Sequence, residues 1–168
     1  MLEEVFPPDE CPCKYRLGAS NVNATVTVTD PEGVDTTFTG TINLTAIQCF
    51  TGGPNCNPNV DNFNLTFVGT GDDSGNTINF VQGRRGTISC VDDIIAIMEN
   101  GTAMAAGNVL DGDYTVDFTY TIIPDTGTAE VVFTATGTDV TVFTTTYTAD
   151  VSPQTFIGEC GDTVGPQD

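Results

Sequence analysis

The 168-residue chain contains no histidine and no tryptophan, and only four basic residues, Lys14, Arg16, Arg84 and Arg85, against 23 acidic ones. Without histidine, Ser-His-Asp and Cys-His arrangements are excluded, because the base that activates the nucleophile is missing. Only carboxylates remain as general acids and bases, and a glycosidase-type pair must flank a sugar cleft. The acidic residues fall mainly in turns, where Asp is favoured by local hydrogen bonding, and no pair stands out. The chain therefore reads as a non-enzyme. A net charge of −19 repels nucleic acid, whose binding depends on neutralising phosphates with Lys and Arg. It repels anionic membranes in the same way. The charge serves either solubility or cation binding.

Other absences narrow the class further. No stretch of apolar residues is long enough to span a bilayer as a helix, so no membrane span is expected. The first residues, MLEEVFPPDE, lack the basic start and apolar centre of a signal peptide. The chain reads as a mature form, or as one that leaves its cell by another route such as lysis. Zinc calls for CxxC pairs or histidines at ligand spacing, and redox catalysis for CxxC. The six cysteines, Cys11, Cys13, Cys49, Cys56, Cys90 and Cys160, show neither pattern. Disulfides are the expectation, and with them an extracellular or surface location.

What the chain has in abundance is threonine, 29 residues against 4 serines. Threonine is β-branched, stiff at χ1, and suited to the outer face of a pleated sheet. Apolar residues make up 39 % and recur with period two, unlike the pattern of disordered segments. Strands are expected at 15–29, 36–47, 62–69, 76–82, 87–91, 129–136, 140–148 and about 154–159, with Tyr114 to Ile122 as another. In 36–47, Phe38, Ile42, Leu44 and Ala46 share one face, and the threonines share the other. Phe63, Leu65 and Phe67 are expected inward, as are Tyr114, Val116, Phe118, Tyr120 and Ile122, and Ala129, Val131, Phe133 and Ala135. Segment 92–109 starts as a short helix or forms two strands about the hairpin signal Asn100-Gly101, and strands are favoured. Gly83-Arg84-Arg85-Gly86 reads as a loop, either a plain hairpin tip or an anchor for a carboxylate patch on another copy.

This gives nine to eleven strands at regular spacing, and no βα rhythm. The expected fold is all-β: an antiparallel two-sheet β-sandwich or jelly roll with an extended N-terminal arm. The arm is placed at 1–13, the domain at 14–160 and a tail at 161–168.

The cysteines divide into two sets. Cys49 and Cys56 bracket a Gly-Gly-Pro loop and are expected to bond each other, and Cys90 and Cys160 are expected to staple the C-terminus. Cys11 and Cys13, two apart in an extended arm, point to the same side. Each is expected to bond elsewhere, either within the chain or on a neighbouring subunit. No cofactor is demanded. Asp72 and Asp73, with Asp111 and Asp113, are weak calcium candidates because they cluster oxygens, although plain hairpin turns explain them too. Carbohydrate binding usually relies on exposed aromatics, and most Phe and Tyr positions are expected inward. Four Asn-x-Thr sequons, at Asn23, Asn43, Asn64 and Asn100, are a number that composition nearly supplies by itself.

A cysteine-bearing arm, Cys11-Pro12-Cys13, ahead of a β domain and without a signal peptide resembles the endospore-appendage subunits of spore-forming bacteria. The resemblance is one of organisation. That family tends to carry a Cys-Cys doublet where this chain has Cys-Pro-Cys. It implies a jelly roll, a location at the cell or spore surface, and an arm cross-linked through Cys11 and Cys13 to copies of itself. A self-assembling filament, appendage or coat subunit is thus one expectation, supported by threonine-rich strand edges that could pair between copies. A monomeric secreted β-sandwich binding module (an adhesin, or a carbohydrate- or calcium-binding domain) is the alternative. It requires all six cysteines to pair within the chain, and one cleft with convergent polar groups.

Overall fold

The computed structural model describes residues 4–6, 11, 13–51, 55–57, 60–90, 96–151, 155–158 and 160. Among the described residues ten strands are present: β1 Glu4–Phe6, β2 Lys14–Thr29, β3 Asp35–Gln48, β4 Asp61–Gly69, β5 Thr77–Cys90, β6 Ala96–Gly107, β7 Gly112–Ile123, β8 Thr128–Gly137, β9 Val142–Asp150 and β10 Phe156–Gly158. Each of β2 to β8 pairs antiparallel with the next. The last then returns to the first, because Val142–Thr145 of β9 pairs with Val26–Thr29 of β2. The result is an 8-strand antiparallel barrel rather than the expected two-sheet sandwich or jelly roll. It is a simple meander. The two short outer strands add to its rims, β1 on Ile88–Cys90 of β5 and β10 on Lys14–Arg16 of β2.

Why a barrel and not a sandwich? Period-two alternation is the same in both, so the difference lies in bending and closure. The ladder is interrupted by register shifts at Asn21/Ala24, Phe63/Leu65, Val81/Arg84 and Arg85/Thr87. Such bulges bend a strand and increase its coiling. Glycine does the same where strands press together. Gly40 and Gly69 face each other across β3 and β4. A Cβ on Gly40 would sit 2.1 Å from the Val68 carbonyl oxygen.

Two local expectations are corrected by these bulges. Gly83-Arg84-Arg85-Gly86 is not a loop but part of β5, and Asn100-Gly101 is not a hairpin turn but lies mid-strand in β6. Arg85 pairs with Gly101, and Asn100 pairs with both Thr87 and Asp117. The Asn100 amide donates to Asp117 Oδ1 at 2.6 Å. The two flanking register shifts in β5 absorb the glycines without reversing the chain. Of the expected helix start, residues 91–95 lie outside the described residues.

Most inward assignments hold. Ile42, Leu44, Ala46, Phe63, Leu65, Phe67, Tyr114, Val116, Phe118, Tyr120, Ala129, Val131, Phe133 and Ala135 are buried. Phe38 and Ile122 are only partly buried, packed against the core from the margin. An eight-strand barrel is just wide enough for side chains to fill it, and here aromatics do so. Phe80 meets Tyr114, Phe133 and Phe143 at ring-centroid distances of 5.4, 5.5 and 5.0 Å, and Phe63 meets Phe118 at 5.4 Å. The strands thus run apolar-inward and threonine-outward, the reverse of a membrane-spanning barrel. Among the described residues, no helix is long and apolar enough to cross a membrane.

Phe80 touches three of the other rings at the barrel centre. Phe80→Ala should lower unfolding free energy by about 3–5 kcal/mol in equilibrium urea denaturation. A loss below about 1 kcal/mol would contradict this packing.

Candidate functional site

The barrel has two chemically different ends. The loops β2–β3, β4–β5, β6–β7 and β8–β9 share one end, and the described disulfides, β10 and the β3–β4 loop share the other. The weak calcium candidates all lie at the first end. Asp72 is exposed, and Asp73 accepts the backbone N–H of Thr39 through Oδ2 at 2.7 Å. Asp111 and Asp113 flank the start of β7. The two loops are joined by Asn108, which accepts from Thr77 N at 2.8 Å and donates to Gly75 O at 2.6 Å. Among the described residues, no group of three or more metal-capable side chains is brought together.

At the other end the cysteines pair differently from expectation. Cys11 bonds Cys49, and Cys56 bonds Cys160. Cys13 is wholly buried and is disulfide-bonded as well, and none of the described cysteines is a free thiol. The Cys90 side chain lies outside the described residues. The expected Cys49–Cys56 and Cys90–Cys160 bridges therefore do not form, and Cys11 is not held for another subunit. The reason is visible in the ladder. The β3–β4 loop is already closed by Gln48 opposite Asp61 and by Cys49 N donating to Val60 O at 2.8 Å. A bridge across that loop would be redundant, whereas Cys49 and Cys56 are placed to tie down the two chain ends. Both bridges thus anchor on one loop, and Cys160 Sγ lies 3.4 Å from the Cys11 carbonyl oxygen.

Beneath this loop several polar groups are buried. Lys14 and Gln48 are fully buried, and their amine and amide donate to Asn55 O at 3.2 Å and Val60 O at 2.8 Å. Tyr15 donates its hydroxyl to the buried carboxyl of Glu99. Tyr147 donates to Ala19 O at 3.1 Å. Burial, with the nearby Tyr120, pushes the Tyr147 hydroxyl well above the ordinary tyrosine range. Burial also raises Tyr120, and it raises Tyr114, with the nearby charges of Asp139 and Asp111 adding to the effect. Glu99 carried no sign of burial in the sequence, because one acidic residue in an alternating strand reads as outward.

A concavity of about 660 Å³ lies on the outer face of β2, β3 and β4. Its floor is a grid set by the strand register. Arg16, Ile47 and Asn62 form one cross-strand row, Gly18, Thr45 and Asn64 the next, and Ser20 and Asn43 begin a third. Gly18 leaves the middle of the grid without a side chain at its edge, and Asp150 of β9 forms one margin. Ser20 Oγ donates to Asn43 Oδ1 at 2.6 Å, and Asn64 Nδ2 donates to Asn62 Oδ1 at 3.0 Å. The Arg16 guanidinium lies 4.7 Å over the Phe50 ring, a cation–π placement. A second hollow of about 470 Å³ on β6–β8 offers mainly threonine hydroxyls, Asp113 and the exposed Met104.

Of the first groove, the sequence had singled out Asn43 and Asn64 only as sequons. The signal was nonetheless present. The outward positions of β3 and β4 include Asn43, Asn62 and Asn64 where the other strands carry mostly threonine.

No family model matches the chain, and no curated protein or solved structure matches it.

Two measurements check this end of the molecule. Peptide mapping without reduction should recover Cys11 linked to Cys49 and Cys56 linked to Cys160. The double change Cys56→Ser, Cys160→Ser should cost about 2–4 kcal/mol, since the bridge closes a long loop. For the tyrosines, a hydroxyl raised in the fold stabilises it below the unfolded value of 10.0, and that stability is lost as pH rises through the folded value. Urea midpoints should therefore hold between pH 8 and 10 and fall above it. Tyr147→Phe should be about 1 kcal/mol less stable at pH 8 yet lose less above pH 10.

Proposed function

We propose that this chain is an exported binding module that presents the β2–β4 groove to its ligand. The observation that carries the reading is the groove itself: polar groups from three strands converge there, oriented by hydrogen bonds to one another. Few precisely placed polar groups in a concavity are what ligand sites require. The cysteines support the same reading, because Cys11 is closed within the chain and no described cysteine is left as a thiol. Disulfides of this kind persist in oxidising compartments, which fits action outside the cell or at a cell or spore surface. Among the described residues, the groove's lining holds one carboxylate, Asp150.

A second reading is self-assembly into a filament or coat. It is favoured by the way β1 adds as a short strand to β5, since a terminal strand that pairs with its own barrel can pair equally with a neighbour's. Electrophoresis with and without reductant, followed by negative-stain electron microscopy, separates the two. The binding module predicts a single monomer band without reductant and no polymers. A ladder of reductant-sensitive multimers, or fibres in the micrographs, would sink it in favour of assembly.

A further inference from the structure

We infer that the β2–β4 groove takes a neutral, polyhydroxylated chain, that is, an oligosaccharide segment. This rests on the binding reading above and names its ligand class. The first argument is the inventory of hydrogen-bonding atoms. Ser20 occupies the Oδ1 of Asn43, and Asn64 occupies the Oδ1 of Asn62. What the four side chains have left includes the amide donors of Asn43 and Asn62, the second N–H and the carbonyl oxygen of Asn64 and the hydroxyl oxygen of Ser20, with Thr45 between them. Donors and acceptors are mixed and their orientation is set by neighbours. The groups that both give and receive hydrogen bonds at close spacing are hydroxyls, as on a sugar ring.

The second argument is charge. On a molecule of net charge −19, the floor of this groove has no carboxylate among the described residues; Asp150 stands at its margin and Arg16 at one end. An anionic chain is repelled by the molecule as a whole. A neutral ligand avoids that cost. The third argument is shape. The groove is open along β2 from Arg16 to Ser20, roughly 13 Å of strand, and crosses two interstrand gaps. That suits an inner segment of an extended chain better than a compact solute.

No bare aromatic face is offered for stacking, because Arg16 covers Phe50. Affinity therefore comes from a handful of hydrogen bonds, each weak in net terms, and a Kd on the order of 1 mM is expected.

The test uses the full chain, produced without N-glycosylation because Asn43 and Asn64 stand in sequons, and labelled with ¹⁵N. It is titrated with neutral hexaoses of three linkages (β-1,4-glucan, β-1,3-glucan and β-1,4-mannan), with hexagalacturonate, and with a neutral Gly-Ser-Thr peptide. At least one neutral hexaose should shift amide signals at Arg16–Ser20, Asn43–Ile47 and Asn62–Asn64. The double variant Asn43→Ala, Asn62→Ala should weaken that binding about tenfold with an unchanged thermal midpoint, and Gly18→Val should obstruct it. Groove shifts with hexagalacturonate as strong as with any neutral hexaose, or with the peptide alone, overturn the saccharide assignment and leave the binding reading standing. No groove shift with any probe overturns both.

Discussion

The structure depends on four residue pairs. Val26–Thr29 of β2 meet Val142–Thr145 of β9, and this ladder turns a long meander into a barrel. Without it, β2 and β9 would be free edges, with backbone groups open to pairing by other chains. The aromatic cluster, drawn from β4, β5, β7, β8 and β9, would lose its enclosure. The ladder is short because β2 bulges at Asn21/Ala24. Past Val26, side chains continue the seam: Thr145 donates to Thr25 O at 2.8 Å, Asn21 donates to Thr148 O at 2.7 Å, and Tyr147 donates to Ala19 O at 3.1 Å. Tyr147 thus serves the seam as well as the core, which is why its ionisation and the fold are coupled.

The disulfides act where the ladder does not reach. Both described bridges converge on the β3–β4 loop and hold the two chain ends to it. The buried Lys14, Gln48, Tyr15 and Glu99 lie beneath. Buried polar groups are costly unless satisfied, and such groups need a cover that does not open. The covalent ties supply that cover. The opposite end needs none, since its loops are short and hydrogen-bonded through Asn108 and Asp73. The groove sits on the outer face of the wall whose strands carry one end of each bridge or of the seam.

Much of this was legible in the sequence. The strands from β2 to β4 and from β7 to β9, their turns and nearly all inward residues follow from alternation and turn chemistry, because both are local. The misreadings share one cause. Gly83 to Gly86 and Asn100-Gly101 carry strong local turn signals, yet they lie opposite one another in a continuous pair. A backbone flanked by two strands keeps its hydrogen bonds by bulging instead of turning. Cys49 and Cys56 look like partners by spacing, but the strand pairing had already closed their loop. Asn43, Asn62 and Asn64 are far less telling in sequence than side by side.

The sequence by itself determined that this is a threonine-faced, all-β, disulfide-bearing chain, and which side of most strands is buried, since a period of two is written residue by residue. Only the tertiary structure decided that the sheet closes, which cysteines meet, that Glu99 is inside and that three asparagines share a groove. Those outcomes depend on which distant residues face each other, Val26 with Thr145 or Ile47 with Asn62. Bulges and close-packed glycines set that register, and alternation carries no trace of it.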